Sequence, residues 1–145
     1  MSNIKCIVVD DEHHIRVFLK SVLKLADIDV AGEAANGEEG VNLYKKIEPD
    51  LVLMDINMPV KTGEEALLEI KALNPYTVVI MLTSVADSET VKKCIESGAD
   101  SYLRKDTPLP ELKKIFMEIK EEYLEGRWKN SIWKSFMRKL KKMKK

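Results

Sequence analysis

The sequence predicts an α/β fold, a doubly wound parallel sheet of five strands that alternate with five helices as (βα)5. Short apolar runs and segments with helically spaced apolar residues follow one another in strict order over most of the 145 residues. Three of the runs are almost wholly apolar, which is typical of strands that helices cover on both faces. Right-handed crossovers between such strands produce a sandwich of this kind.

Five strand-like runs can be assigned along the chain. They lie at residues 4–9, 27–34, 51–54, 78–82 and 101–103. Each is followed by a segment whose apolar residues recur at helical spacing, so that one face of the helix can pack on the sheet. The apolar positions of these helices lie within residues 15–26, 41–47, 66–73, 87–97 and 112–119.

Turn and capping residues predict where the helices begin and end. Asn36-Gly37 is a turn into the second helix. Asn74-Pro75 stops the third helix, because the residue before a proline disfavours helical backbone angles. Gly98 is suited to the carboxyl end of the fourth helix. Thr107 is predicted to cap the fifth helix, with Pro108 in its first position.

The zero net charge of the chain hides an uneven distribution. Residues 1–126 carry 15 basic and 24 acidic side chains, a net charge of −9, whereas residues 127–145 carry nine basic side chains and no acidic one. The fifth helix is expected to end near Gly126. We therefore predict a globular domain over residues 1–125 and a basic, amphipathic helical extension over residues 126–145.

Composition also restricts the compartment. Cys6 and Cys94 are too few for a disulfide framework and are expected to be buried thiols in a reducing environment. No apolar run approaches the ~18 residues that a membrane span needs. The first residues do not resemble a signal peptide. These features predict a cytoplasmic protein.

Polar side chains follow four of the predicted strands at the point where each strand ends. Ligands of a doubly wound sheet bind beyond the carboxyl ends of its strands, so we expect these side chains to meet at one edge. They are Asp10, Asp11 and Glu12 after the first strand, Asp55 after the third, Thr83 after the fourth and Lys105 after the fifth. A single strand-end aspartate is usually a turn or cap residue, but several convergent groups of fitting chemistry favour a functional site.

The chemistry of these groups favours phosphoryl transfer with a divalent ion. Clustered carboxylates repel one another and favour binding of a cation. Ligation by the three aspartates suits Mg²⁺, to which the backbone carbonyl of Asn57 could add an oxygen. With the acids neutralised, Asp55 could attack a phosphoryl group and form an aspartyl phosphate. Lys105 and Thr83 would then hold phosphoryl oxygens.

Four stretches of the sequence resemble the receiver domain of bacterial two-component response regulators. They are Val8-Val9-Asp10-Asp11-Glu12, Leu53-Met54-Asp55-Ile56-Asn57-Met58-Pro59 with Gly63, Met81-Leu82-Thr83-Ser84, and Gly98-Ala99-Asp100-Ser101-Tyr102-Leu103-Arg104-Lys105. The resemblance covers about residues 3–124, and the combination of motifs is highly specific. It implies the flavodoxin-like strand order of the chemotaxis-regulator fold.

The resemblance also implies a role for each residue of the predicted site. Asp55 would be the phospho-acceptor, taking its phosphoryl group from a phosphohistidine of a sensor histidine kinase or a phosphotransfer protein. Thr83 and Lys105 would sense the phosphate, and Tyr102 would be the switch residue whose ring turns inward. The downstream target would bind the face built from the fourth helix, the fifth strand and the fifth helix. The Mg²⁺ ligands would be Asp10, Asp11, Asp55 and the Asn57 backbone carbonyl.

Two features depart from the commonest pattern of this family. Asp106 follows Lys105 where many receivers have proline, which removes an expected cis peptide. The loop of residues 59–63 lacks the usual acidic or methionine residues. Neither departure changes a group of the predicted site. The departures leave the lifetime of the phosphoaspartate and the choice of partner open. The resemblance implies that Asn57 and Val85 occupy positions that tune its hydrolysis.

Residues 127–145 have an apolar stripe and a basic back when drawn as a helix. The stripe consists of Trp128, Ile132, Trp133, Phe136, Met137, Leu140 and Met143. Three alternatives stay open: the stripe packs on the body or on a second copy of the chain, lies on an anionic membrane surface, or binds a partner or nucleic acid. DNA binding is not expected, because the acidic body would repel phosphates and the segment is too short for a helix-turn-helix domain.

Together these features predict a phosphorylatable signalling switch of a two-component phosphorelay. Its catalysis would be limited to its own phosphoryl uptake and hydrolysis, so it is not expected to be an enzyme with an external substrate. The alternative is a scaffold, anchored to a membrane or a partner, whose receiver fold acts independently of phosphorylation. Peripheral membrane association of the cytoplasmic protein would result if residues 127–145 bind lipid.

Overall fold

The computed structural model of the chain describes residues 4–84 and 88–125. Within them, strands and helices alternate strictly. The strands are β1 (Lys5–Val9), β2 (Asp29–Ala34), β3 (Leu51–Asp55), β4 (Val78–Thr83) and β5 (Ser101–Arg104). The helices are α1 (His13–Leu25), α2 (Gly37–Ile47), α3 (Gly63–Leu73), α4 (Ser88–Glu96) and α5 (Leu109–Leu124). No helix in this part of the chain is long and apolar enough to cross a bilayer.

The five strands form one parallel sheet in the order β2-β1-β3-β4-β5. This is the flavodoxin-like order, and the predicted (βα)5 fold is confirmed. The order reverses between β1 and β3, which pair directly over residues 6–9 and 51–54. In doubly wound sheets a crevice opens at this reversal, outside the carboxyl ends of the strands.

Alternate residues of each strand contribute to two separate cores, one on each face of the sheet. The first core packs α1 and α5 on one face, with Phe116 of α5 completely buried. The second packs α2, α3 and α4 on the other face and includes Tyr102 of β5. Burial on both faces explains why β3 and β4 are buried at every position. Both cysteines are buried free thiols, as predicted.

Two of the predicted boundaries are wrong. β2 begins at Asp29 and not at residue 27, because residues 26–28 form the turn that closes α1. In that turn the Ile28 amide donates to the Leu23 carbonyl at 2.9 Å, and Asp27 has a left-handed φ of 60°. Consecutive carbonyls at the end of a helix are commonly satisfied in this way.

The predicted cap of α5 is also wrong. The N-cap residue is Pro108, with no side-chain capping bond, and the helix begins at Leu109. Thr107 is buried, and its hydroxyl donates to the Arg104 carbonyl at 2.7 Å. The Thr107 side chain therefore closes the turn after β5 and does not cap the helix. The described residues contain no cis peptide bond. Two positions discussed above lie outside the described residues: Val85, and the predicted extension over residues 126–145.

The turn between β3 and α3 brings two backbone segments unusually close together. Thr62 caps α3 in a capping box with Glu65. The Gly63 amide donates to the Ile56 carbonyl at 2.8 Å. A Cβ atom added to Gly63 would lie 2.1 Å from the carbonyl oxygen of Asp55, so only glycine fits there. This contact fixes the backbone of the last β3 residue.

We expect Gly63→Ala to lower the free energy of unfolding by about 3 kcal/mol, because the added methyl group clashes with backbone that cannot move away. Urea denaturation followed by circular dichroism measures the change. Gly32→Ala is the matched control, since its Cβ would meet only the ends of the Leu43 and Ile47 side chains, the nearest at 3.0 Å. Equal stability of the two variants would contradict this explanation of the turn.

Candidate functional site

The sheet continues its hydrogen bonding one residue beyond three of its strands, at the carboxyl edge. The Asp10 amide donates to the Ala34 carbonyl at 3.0 Å, next to the end of β1. The Ile56 amide donates to Leu82 at 3.2 Å, and the Lys105 amide donates to Thr83 at 2.8 Å. Backbone bonds of this kind fix where each following side chain begins. The residues just past β1, β3 and β5 are therefore held at one edge.

Three aspartates gather at this edge, as predicted. Each of Asp10, Asp11 and Asp55 places one carboxylate oxygen within 4.8 Å of the other two. Asp10 and Asp55 are buried, whereas Asp11 is exposed to solvent. One oxygen of Asp10 accepts the Glu12 amide at 2.8 Å, which orients this carboxylate at the start of α1. The cluster therefore has a buried floor and an open side.

The ammonium group of Lys105 lies among these acids. Its Nζ atom is 2.9 Å from Asp10 Oδ2, 3.1 Å from Asp55 Oδ2 and 2.9 Å from Glu12 Oε1. Only 8% of the Lys105 side chain is exposed, so these contacts replace water around a charge that could not otherwise be buried. The sequence predicted that Lys105 meets Asp10 and Asp55, and the structure brings the three together.

Burial and charge repulsion perturb the pKa values of these groups. The pKa of Asp55 is raised to about 7, first by burial and second by the charge of Asp10, while the Lys105 ammonium opposes both effects. Burial by itself would lower the pKa of Lys105, but hydrogen bonds to Asp10 and Glu12 outweigh it and raise the pKa above its usual range. The site therefore holds more negative charge than its single lysine compensates.

The guanidinium group of Arg16, in α1, supports the backbone of Asp10. Arg16 donates from Nη1 to the Asp10 carbonyl oxygen at 2.7 Å, and from Nε to Glu33 of β2 at 2.8 Å. Sequence reasoning missed Arg16, and it noted Glu12 at the strand end without foreseeing its contact with Lys105. Their spacing carried a usable signal, since residues four apart at the start of a helix lie on one face, next to the strand end.

The other predicted residues lie on the strands and loops around the cluster. Thr83 is the last residue of β4 and is buried. Tyr102 lies in β5, opposite Met81, with 9% of its surface exposed. Asn57 is exposed on the loop two residues after Asp55. Their roles stay predictions.

The donor set is suited to a small divalent ion. Two oxygens bound to one ion at about 2.1 Å are at most about 4.2 Å apart. The three aspartate oxygens lie within 4.8 Å of one another, so small side-chain movements would bring them into range. Carboxylate oxygen is also the ligand type that Mg²⁺ prefers.

The fold and the site together define a class of protein. It is a doubly wound α/β domain with an acidic site at the point where the strand order reverses. The sequence matches the response regulator receiver domain family over residues 6–117, and the chain belongs to this family. Receiver domains are regulatory phospho-acceptors of two-component signalling, and they bind Mg²⁺ through acidic residues.

Two relatives show how far the similarity extends. Protein CcdB of Bacillus subtilis is 45% identical over 101 residues, which are 70% of this chain and 84% of that protein. The chemotaxis protein CheY of Halobacterium salinarum is 38% identical over 113 residues, which are 78% of this chain and 93% of that protein. The chain therefore resembles nearly the whole length of the second relative.

Solved structures show the same fold. A CheY-like receiver domain protein from Methanospirillum hungatei superposes with a TM-score of 0.78 at 28% identity, covering 86% of this chain and 99% of that one. A chain of the CheX–CheY–BeF3–Mg complex from Borrelia burgdorferi has a TM-score of 0.75 at 26% identity, covering 80% and 88%. A chain of the Saccharomyces cerevisiae complex between the histidine phosphotransfer protein Ypd1 and the receiver domain of Ssk1 has a TM-score of 0.74 at 26% identity, covering 83% and 91%.

We expect Lys105→Met to lower the free energy of unfolding by on the order of 2 kcal/mol without added metal, because it leaves buried carboxylates without their cation. The measurement is urea denaturation at a pH well above 7, because the Asp55 pKa of about 7 rises further when Lys105 no longer lowers it. Adding Asp55→Asn to Lys105→Met should recover part of the loss, since one of the repelling charges is then removed.

Lys92→Met is the matched control for this variant, because Lys92 is exposed on α4. Its unfolding free energy should change by less than about 0.5 kcal/mol. If Lys105→Met were no less stable than this control, the ammonium would not be the cation on which the acid cluster depends.

Proposed function

We propose that the protein is a response regulator whose Mg²⁺-dependent phosphorylation on Asp55 switches a protein-binding surface. The observation that carries the proposal is the contact of the Lys105 ammonium with Asp55 Oδ2 at 3.1 Å, beside the carboxylates of Asp10 and Asp11. In this proposal residues 1–125 are the receiver domain and residues 126–145 are an extension of it.

The chemistry assigned to the chain is acceptance of a phosphoryl group by a carboxylate. An Asp55 oxygen attacks the phosphorus of a phosphohistidine, the new P–O bond forms, and the P–N bond breaks with its electron pair left on the imidazole nitrogen. Lys105 binds one phosphoryl oxygen with its ammonium, and the Thr83 hydroxyl donates to another. The pKa of Asp55 is raised, so the carboxylate needs a nearby cation, Lys105 or Mg²⁺, to stay ionised and able to attack.

Three side chains of the cluster would hold the metal, with one backbone oxygen. They are Asp10, Asp11 and Asp55, with the Asn57 carbonyl as the fourth ligand. Bound Mg²⁺ would neutralise the carboxylates and the phosphoryl oxygens during transfer. Asp11 is the open-side ligand, since its side chain is exposed. Hydrolysis of the phosphoaspartate by water at this open side would reset the protein, and we infer no external substrate.

The switch would run from the phosphate to Tyr102 through Thr83. Thr83 ends β4, where it pairs with Arg104 of the neighbouring strand β5. Tyr102 lies two residues before Arg104, on the same face of that strand. Movement of Thr83 towards the phosphate would open space next to the ring. The phosphate then biases two existing states, which differ at the surface of α4, β5 and α5.

This function implies two kinds of partner protein and a cytoplasmic location. A sensor histidine kinase or a phosphotransfer protein would donate the phosphoryl group, and a downstream protein would bind the switched surface. The similar structures of a receiver domain with Ypd1 and of CheY with CheX support both kinds of partner.

We expect the protein to gain the mass of one phosphoryl group when it is incubated with acetyl phosphate and MgCl2, and to lose it again at alkaline pH, as an acyl phosphate does. Asp55→Asn should show no adduct, because its amide is a poor nucleophile. Intact-mass spectrometry measures both results.

Asp29→Asn is the matched control, since Asp29 is an exposed aspartate at the opposite edge of the sheet. It should be labelled as the unmodified sequence is. A folded protein that takes up no phosphoryl group would favour a scaffold that acts independently of phosphorylation, and labelling of Asp55→Asn would place the acceptor elsewhere.

We also expect Mg²⁺ to stabilise the fold, because an ion that binds only the folded state raises the unfolding free energy by about 2.7 kcal/mol at a hundredfold excess over its dissociation constant. Thermal denaturation over a MgCl2 titration measures this effect. Asp11→Asn should abolish it without harming the fold, as Asp11 is exposed, and Asp29→Asn should retain it. Equal stabilisation of both variants would rule out the aspartate cluster as the site.

A further inference from the structure

A cavity of about 770 Å³ opens at the amino-terminal edge of the sheet, opposite the acid cluster. We name it the basal cavity. It lies between the loop that joins α2 to β3, the loop that joins α3 to β4, and the end of α5. Its lining includes Tyr44, Asp50, Leu73, Tyr76, Thr77 and Tyr123. Its volume lies within the range of about 300–1,000 Å³ that is typical of binding sites.

The floor of the basal cavity is polar, hydrogen-bonded and fixed. The Tyr44 hydroxyl shares a hydrogen bond with the buried Thr77 hydroxyl. Asp50 accepts the Tyr123 hydroxyl at 2.7 Å on one oxygen and the Lys5 amide at 2.9 Å on the other. Burial and this bond to Asp50 raise the pKa of Tyr123, so its hydroxyl stays a donor. The cavity is therefore a preformed part of the fold.

The rim of the basal cavity faces solvent and combines apolar with polar side chains. Leu73 is 54% exposed and Tyr76 is 61% exposed. Both line the cavity, beside the exposed side chains of Lys45, Glu48 and Asn74. An aromatic and an aliphatic side chain side by side at the mouth of a cavity are suited to receive another aromatic side chain.

The end of α5, which borders the cavity, has an unusual charge pattern. Each of the other helices has lysine in its last turn, where a cation interacts favourably with the helix dipole: Lys24 in α1, Lys45 and Lys46 in α2, Lys71 in α3 and Lys93 in α4. The last turn of α5 has no basic residue and contains glutamates. The end of α5 therefore presents acidic side chains where the other helices present lysine.

Basic residues follow in the sequence immediately after the described residues. Positions 127–145 carry nine basic side chains, no acidic one and the apolar stripe that begins with Trp128. Tyr123 lines the cavity, and Trp128 follows only five residues later. Five residues of extended chain span at most about 18 Å, enough to bring an indole ring to the rim. Such a short tether also gives a high effective concentration, in the millimolar range.

We propose that the basal cavity docks the chain's own residues 127–145, with Trp128 and Trp133 against Leu73 and Tyr76 of its rim. The basic side chains of the segment would lie beside the acidic end of α5 and the carboxylates of Glu48 and Asp50. This docking site is independent of the phosphorylation site, since the two lie at opposite edges of the sheet.

The two tryptophans of the chain are both in this segment, so tryptophan fluorescence reports on the segment alone. We expect the full chain to show blue-shifted emission and weak acrylamide quenching without any added partner, unchanged over a wide dilution series. Leu73→Lys should shift the emission to the red and strengthen the quenching, because it places a cation on the rim that repels the basic segment.

Leu68→Lys is the matched control. Leu68 lies on the same helix, is 51% exposed and does not line the cavity, so this variant should leave the emission unchanged. Identical spectra for the two variants would overturn the proposal, whether the tryptophans are shielded or exposed in both.

A dilution series and added lipid vesicles distinguish docking on the chain's own body from binding of the segment to a second copy or to a membrane. Shielding that disappears on dilution would assign the segment to a second copy of the chain. Shielding that appears only with anionic phosphatidylglycerol vesicles would assign it to a membrane surface. Either result would overturn docking on the chain's own body, and neither would affect the assignment of Asp55, which mass spectrometry tests separately.

Discussion

The arrangement of the site depends on the repulsion between carboxylates that the sheet holds at the ends of β1 and β3. Asp10 and Asp55 are buried next to each other, and burial together with this proximity raises the pKa of Asp55. Such a pair needs a cation, and the structure provides the Lys105 ammonium within 3.1 Å of both carboxylates. The same excess of negative charge makes the edge attractive to a divalent ion. The lysine meets the need of these buried carboxylates for positive charge, and a bound divalent ion would meet the same need. A more exposed or less acidic site would not have this need.

The fold delivers these groups with little freedom of position. The parallel strands β1, β3, β4 and β5 end at the same edge, and backbone hydrogen bonds extend the order of the sheet to Asp10, Ile56 and Lys105. Behind Asp55, the absence of a side chain at Gly63 lets α3 begin directly against the strand. Preorganisation of this kind suits phosphoryl transfer, in which positioning and charge neutralisation provide most of the catalysis.

Much of this architecture could be predicted from the sequence because it depends on regular patterns. Apolar runs covered on both faces predicted β3 and β4, and the rule that ligands bind beyond strand ends brought Asp10, Asp55 and Lys105 together. What could not be predicted depends on side-chain direction and on local competition for hydrogen bonds. Thr107 is of a residue type that commonly caps helices, but its hydroxyl donates to the Arg104 carbonyl instead. Residues 27–28 have a strand-like sequence but belong to the turn that closes α1. The contacts of Arg16 and the basal cavity arise only when distant elements pack.

The division of the interior into two cores has a mechanical consequence. Tyr102 belongs to the core under α2, α3 and α4, whereas the buried face of α5 belongs to the core on the other side of the sheet. If the Tyr102 ring moves as proposed, the movement would therefore repack the core under α2, α3 and α4, which the sheet separates from the core under α1 and α5. In the proposed switch, the sheet would separate the two cores, so that the shape jointly presented by α4 and α5 would change first on the side of α4.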